Sequence, residues 1–336
     1  MTFPGFRISA WFLLLPAIPL LFLLWIWMYA IGPGPASQLQ EIEVFIPART
    51  GVSAIGKILA EHKVIKDDPR FAMLVTLSGA AGKLRAGEYA FVPGKRPLDV
   101  IELLKQGRVL YRPVTIPEGT AMAAIADILA AGGWVDRERF TGLLRDPELL
   151  AASGIAASSL EGYLFPDTYY LSRGQQDETG IIRMMLAKHF QVYEDIMQTP
   201  GIKQPSLSHH EIVTLASIVE KETGNPQEHA LVAAVFLNRL AKGMRLQADP
   251  TVRYGLERVG PITVQDLNNS TPDNTYIRKG LPPGPIANPG RAAIEAVFSP
   301  ADTDYLYFVS KDGTSHYFSR TLEEHNRAVK KYRDRK

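Results

Sequence analysis

The chain has 336 residues, 46% of them apolar, with 37 Lys and Arg against 35 Asp and Glu and no cysteine. This length points to more than one domain and a sizeable core, and the net charge of +2 gives no support for a nucleic-acid partner. Without cysteine, disulfides, thiol catalysis and thiolate metal sites are excluded.

No charged residue occurs from Ile8 to Gln40. Residues 10–31 are long and apolar enough to cross a bilayer as a helix. Pro16 and Pro19 would kink that helix without forbidding it. Trp11, Trp25, Trp27 and Tyr29 lie towards its ends, where interfacial aromatics are expected. Arg7, the only charge before the span, orients a short N-terminus to the cytoplasm and the rest outside. The other reading is a cleaved signal peptide, whose apolar region usually runs about 7–15 residues. The expectation is a retained anchor at 10–32, a cytoplasmic N-terminus at 1–9 and a Gly/Pro-rich linker at 33–40.

Residues 41–110 read as a small α+β module. Ile42, Val44 and Ile46 alternate like a strand, as do Tyr89 and Phe91. Val52, Ile55 and Leu59 recur at helical spacing, as do Phe71, Leu74 and Leu77, and then Leu98, Ile101 and Leu104 before Gly107. Such a module serves as a spacer or packing domain on spacing alone.

Residues 111–336 form a mixed α+β domain. Val114, Thr115 and Ile116 read as a strand running into the turn Pro117, Glu118, Gly119. Two helices follow, then the aromatic and acidic stretch LEGYLFPDTY at 160–169 and a helix over 181–197.

The domain centres on ASIVEKET at 216–223. Ser208 is a helix N-cap with Glu211 at capping-box spacing, and Gly224 and Pro226 stop the helix. Ile212, Val213, Leu215, Ala216, Ile218 and Val219 share one broad arc. Glu220 and Glu222 fall inside it towards opposite borders, about 160° apart, while Lys221 points away. A carboxyl that loses water beside apolar groups has its pKa raised, and a helix C-terminus pushes the same way. Lifting a Glu from about 4.3 to roughly 6–7 costs about 3 kcal/mol and lets it hold a proton near neutrality, as the general acid of glycosidic-bond cleavage must. The plain alternative is a solvated or ion-paired acid, with Lys221 and Arg239 as partners.

A second helix follows Pro226, capped by Asn225. The stretch LQADPTVRYG at 246–255 leads into a Pro/Gly-rich loop over 260–290 that carries Asn274, Tyr276 and Asn288. Such a loop either packs on itself or offers aromatic faces and amides to a sugar. A hairpin, with Tyr305 to Val309 pairing back onto His316 to Phe318, and a basic helix close the chain.

Other chemistries find no support. There is no HExxH, and adjacent His209 and His210 cannot face one metal from the same helix side. No Walker loop or GxGxxG stands between a strand and a helix, and no GxSxG elbow is present. Neither a cofactor nor a metal is expected, which leaves an acid/base enzyme or a binding protein.

The motifs ASIVEKET at 216–223, LEGYLFPDTY at 160–169, DPTV at 249–252 with Tyr254 and Gly255, NTY at 274–276 and GLPPGPI at 280–286 together resemble those of the endolytic murein transglycosylases (the MltG or YceG-like family). Their order matches too, and the resemblance covers nearly the whole chain. It implies an α+β protein with one transmembrane anchor, a LysM-like module at 41–110 and a transglycosylase domain at 111–336. It implies a bitopic inner-membrane enzyme whose catalytic part is periplasmic. Its substrate would be nascent peptidoglycan, cut internally between MurNAc and GlcNAc, with peptidoglycan synthases as possible partners and no nucleic acid. The family's catalytic acid maps onto Glu220. Glu222 maps onto a supporting acidic position, and Glu161, Gln247, Asp249, Tyr254, Asn274 and Tyr276 fall in motifs expected to bind substrate. Asp273 departs from the aromatic residue familiar before Asn274, which puts one local contact in doubt.

One acid suffices for this reaction. Glu220 would protonate the glycosidic oxygen, then take the proton of the sugar's own C6 hydroxyl as that oxygen closes a 1,6-anhydro ring. Two alternatives stay open. One is a hydrolase pairing Glu220 with Glu161, Glu222 or Asp249; the other is a non-catalytic wall-binding protein that localises synthases.

Overall fold

The computed structural model describes residues 17–35, 40–202, 205–254, 256 and 260–333. They fall into two units, one of residues up to 112 together with 170–176, the other of 113–169 and 177 onwards. Both mix helices with short two-stranded sheets.

In the first unit, β1 (Ile42–Ile46) buries Ile42, Val44 and Ile46 in strict alternation because successive side chains on a strand point to opposite faces. It pairs antiparallel with β2 (Gly87–Phe91), from Ile42 opposite Phe91 to Ile46 opposite Gly87. Helices α2 (Val52–Glu61), α3 (Arg70–Leu77) and α4 (Pro97–Gln106) cover the pair with Ile55 and Leu59, Phe71, Leu74 and Val75, and Val100, Ile101 and Leu104. Gly107, at φ +67°, ends α4 in the left-handed region that glycine occupies without strain. Leu77, which shares the helical spacing of Phe71 and Leu74, is 59% exposed at the helix end.

Helix α1 (Ala17–Ile31) carries no charge. Ile26, Tyr29 and Ala30 join the core of this unit, while Leu20 to Trp25, Trp27 and Met28 stay exposed. The Arg70 guanidinium lies 4.8 Å from the Trp25 ring and 4.9 Å from that of Tyr29. Among the described residues no helix is long and apolar enough to cross a membrane. The expected cytoplasmic segment 1–9, residues 10–16 of the expected anchor and 36–39 of the expected linker lie outside the described residues.

The second unit begins within β3 (Arg112–Thr115), which pairs with β4 (Thr168–Leu171). Between them come α5 (Met122–Ala131), α6 (Arg137–Leu143) and α7 (Pro147–Ala152), the last two capped by Asp136 and Asp146. The end of LEGYLFPDTY is thus a strand rather than a loop. Helix α8 (Glu178–Met197) leads to α9 (His209–Glu222), whose capping box is formed: Ser208 N–H donates to Glu211 at 2.8 Å, and Glu211 N–H donates to Ser208 Oγ.

Helix α9 is buried from Ile212 through Val219 without a break, so it has no polar face along this stretch. The reason is its position. Side chains of α10 (His229–Ala241) and α13 (Arg291–Phe298) join it in one core, among them Val232, Phe236, Ile294 and Val297. The loop at 281–287 adds Ile286, whose N–H donates to Ser217 Oγ at 3.0 Å while that hydroxyl donates to Thr214 O at 2.7 Å. Ser217 is therefore a staple between helix and loop.

Helix α11 (Asp249–Tyr254) precedes the expected 260–290 loop, and α12 (Val264–Leu267) interrupts the loop near its start. The closing hairpin, β5 (Tyr307–Ser310) with β6 (His316–Ser319), precedes α14 (Leu322–Arg333). Asn238 of α10 holds its approach by donating to the carbonyls of Thr303 and Tyr305.

Candidate active site

The buried run of α9 delivers its last turn, with Glu220, Lys221 and Glu222, to a groove of the second unit. Glu220 is half-buried. Its Oε2 accepts the N–H of Gly290 at 2.9 Å. Its stem lies against Gly119: a Cβ built on that glycine, which has φ +70°, would sit 3.3 Å from Glu220 Cγ. Lys221 Nζ donates to Gly119 O at 3.1 Å, so it braces the turn rather than pairing with an acid. Burial pushes the Glu220 carboxyl above the ordinary Glu value. The neighbouring Glu118 charge adds to this, while the Gly290 N–H, His229 and Lys221 oppose it.

A groove of about 710 Å³ opens beside this turn, lined by Glu118, Thr120, Lys221, Glu222, Asp249 and Tyr254 among others. A second cavity of about 420 Å³ is lined by Arg239, Gln247, Tyr276, Tyr307 and His316. Glu222 and Asp249 line both. Glu220 itself lies behind the groove-lining residues Gly119 and Lys221.

Glu222 is pushed up to about 8, first by burial and then by the Asp249 carboxylate, against Arg239 and the Asp249 N–H. Asp249 Oδ1 accepts the Tyr276 hydroxyl at 2.6 Å. Arg239, 7% exposed, gives its donors to the carbonyls of Leu306 and Leu246, at 2.7 and 2.5 Å, so it stands as a fixed cation rather than a direct partner of Glu222.

Five of the residues expected to bind substrate meet here: Glu222, Gln247, Asp249, Tyr254 and Tyr276. Two lie elsewhere. Glu161 is 2% exposed and lines neither cavity. Its carboxyl accepts Met122 N–H at 3.0 Å, Asn288 Nδ2 at 3.1 Å and the Tyr254 hydroxyl at 3.1 Å, and burial pushes it up to about 7. It ties the groove wall together from behind. Asn274 is fully buried. Its amide donates to the carbonyls of Leu267 and Asn269, at 3.1 and 2.7 Å, and accepts from Tyr276 N–H, so it braces the loop that presents Tyr276.

Sequence reasoning missed Glu118 as a site residue, and it offered Asn288 as a sugar-facing amide where the structure buries it. Asn288, fully buried, accepts Leu164 N–H at 2.9 Å and donates to Thr120 O at 2.8 Å, while its carbonyl takes Gly119 N–H. The available signals were Gly119 and Gly290, two glycines where a side chain would meet a carboxylate or helix α9.

A half-buried acid and a second carboxyl of raised pKa beside a groove can protonate a leaving oxygen. Comparison with known proteins points the same way. A family model described as the YceG-like family matches residues 44–331. The endolytic murein transglycosylase of Bacillus subtilis (strain 168) is 34% identical over 318 residues, covering 90% of this chain and 88% of that protein. That of Streptococcus pneumoniae (strain ATCC BAA-255 / R6) is 29% identical over 333 residues, covering 88% of this chain but 59% of its own length. A crystal structure of a YceG-like protein from Listeria monocytogenes superposes with a TM-score of 0.58 at 34% identity, over 86% of this chain and 99% of that one.

Proposed function

We propose, from the premise that the chain belongs to the YceG-like family, that it is an endolytic lytic transglycosylase of nascent peptidoglycan. It cuts MurNAc–GlcNAc bonds within glycan strands, leaves 1,6-anhydro-MurNAc ends and so terminates strand elongation. The observation that carries this at the site is the Glu220 carboxyl, lifted by burial and lying beside Gly119 and Lys221, two residues that line the groove.

Glu220 enters the reaction protonated and gives its proton to the glycosidic oxygen as the C1–O bond breaks. The C6 hydroxyl oxygen of the same sugar then bonds to C1, and its proton returns to Glu220. No water is consumed, and the carboxyl ends as it began. The hydrogen bond from Gly290 orients the group. Glu222 and Asp249, on the wall between the two cavities, bind sugar hydroxyls on either side, with Tyr254, Tyr276 and Gln247 along the strand.

In the same reading residues 10–32 anchor the protein in the inner membrane, 1–9 are cytoplasmic, 33–40 are the linker, 41–110 are a LysM-like module and 111–336 are the periplasmic catalytic domain. The uncharged run from Ile8 to Gln40 and the exposed apolar side chains of α1 support the anchor. Glycan strands are the substrate and peptidoglycan synthases the partners.

Digestion of long uncrosslinked strands tests the endolytic claim. Early time points should contain fragments of intermediate length; disaccharides released from one end, or strands left intact, would overturn it. The pH dependence follows from the sign of the Glu220 shift. The active form is protonated, so turnover holds below the raised pKa and falls as pH climbs through it. A rate flat from about pH 5 to 9 argues against Glu220 as the acid.

A further inference from the structure

We propose that Glu118 is a second catalytic carboxylate, placed across Gly290 from Glu220 to stabilise the positive charge that builds on the sugar as the glycosidic bond breaks. The inference rests on the reading above and goes beyond it, since that reading employs a single acid.

The geometry is built for this. Glu118 stands on the turn at 117–120, which is pinned from several directions. Thr120 Oγ donates to Pro117 O at 2.6 Å, Gly119 N–H to Asn288 O at 2.9 Å, Asn288 N–H to Thr120 O at 3.1 Å, and Lys221 Nζ to Gly119 O at 3.1 Å. Gly119, in the left-handed region at φ +70°, lets the turn lie directly on the stems of Glu220 and Lys221. From there the Glu118 side chain crosses Gly290: a Cβ on that glycine would fall 1.9 Å from Glu118 Oε1 and 2.8 Å from its Cγ. The same Gly290 donates its N–H to Glu220 Oε2. Two carboxyl groups thus meet over one residue that has no side chain to separate them.

Their surroundings differ in the way two roles require. Glu220 is half-buried and favours its neutral form. Glu118 is exposed and lines the 710 Å³ groove. Among the described residues no hydrogen bond or ion pair engages its carboxylate. An unpaired anion on a fixed turn is pre-organised towards charge that develops in the transition state. The nearest cations do not quench it by direct pairing: Lys221 is held by Gly119 O, and Arg253 donates to Gly260 O at 2.7 Å. His229, which also faces Glu220, bonds through Nε2 to Thr223 O.

The test compares kcat and KM of the full-length protein on uncrosslinked glycan strands from pH 5 to 9, for wild type, Glu118→Gln, Glu118→Asp and Gly290→Ala. Circular dichroism checks that each variant folds, which is expected for substitutions at the exposed Glu118 side chain. Glu118→Gln should lower kcat by about 10- to 100-fold with KM within about threefold, because the charge is used in the transition state. Its falling pH limb should move to lower pH, since Glu220 loses an anionic neighbour. Glu118→Asp should recover part of the loss. Gly290→Ala keeps the N–H to Glu220 but displaces the end of Glu118, so it should reproduce the loss and add little in the Glu118→Gln background. A Glu118→Gln enzyme with wild-type kcat, or a loss confined to KM, overturns the proposal. Wild type that leaves strands uncut would instead overturn the transglycosylase reading itself.

Discussion

Glu220→Gln is expected to lower turnover by about a hundred- to ten-thousand-fold while the protein keeps its fold, the range that a positioned general acid supplies. Gln is nearly isosteric, and its side-chain oxygen can still accept the Gly290 N–H that Glu220 Oε2 accepts at 2.9 Å. What is lost is the transferable proton. Circular dichroism and the thermal midpoint should match wild type, with strand binding retained. Glu222→Gln is the informative companion. Glu222 is lifted to about 8 and lines both cavities, so raised pKa alone would nominate it equally. Its neighbour Asp249 and its place on the shared wall suit a binding role, and its replacement should raise KM more than it lowers kcat. If Glu222→Gln were dead and Glu220→Gln active, the assignments would have to be exchanged.

Asn288→Ala should be the most damaging substitution for stability, by about 3–4 kcal/mol. Its amide serves Leu164 N–H, Thr120 O and Glu161 Oε1, with the residue fully buried. Each buried group left without a partner costs roughly 1–3 kcal/mol. Glu161 is already lifted to about 7 by burial and would lose one of its donors. For a domain of this size the thermal midpoint should fall by roughly 10 °C, and activity should fall with it, because the lost side chain also holds Thr120 O, next to the Gly119 that lies beside Glu220. A variant melting within a degree or two of wild type would show that water replaces these bonds without loss.

The two substitutions also mark what a sequence can reveal. The end of α9 was readable because every signal lies within one element: the Ser208–Glu211 box, the apolar run and two Glu at the helix end. Strand β1 was readable for the same reason, since alternation over five residues is local, whereas its pairing with β2 was not. What was hidden lies between elements. Lys221 meets Gly119 from 102 positions away, and Asn288 meets Glu161 from 127. No spacing rule connects such residues. Glu161 and Asn274 sit in sugar-like motifs, yet their polar atoms are consumed by Met122, Asn288 and Tyr254, and by the carbonyls of the 266–269 segment. A motif identifies which residues matter, but only packing separates those that touch substrate from those that hold its neighbours. The helical wheel of α9 failed in a related way. It gave one apolar arc, whereas α10, α13 and the 281–287 loop enclose the helix all round.

The central claim is that the sugar's own hydroxyl, and not water, completes the reaction at Glu220. Its most direct test is to digest glycan strands in heavy-oxygen water and analyse the new ends by mass. The expected ends are anhydro-MurNAc, one water lighter than reducing ends and free of the heavy isotope. Reducing ends that carry the label would show that water is the nucleophile and would contradict the account.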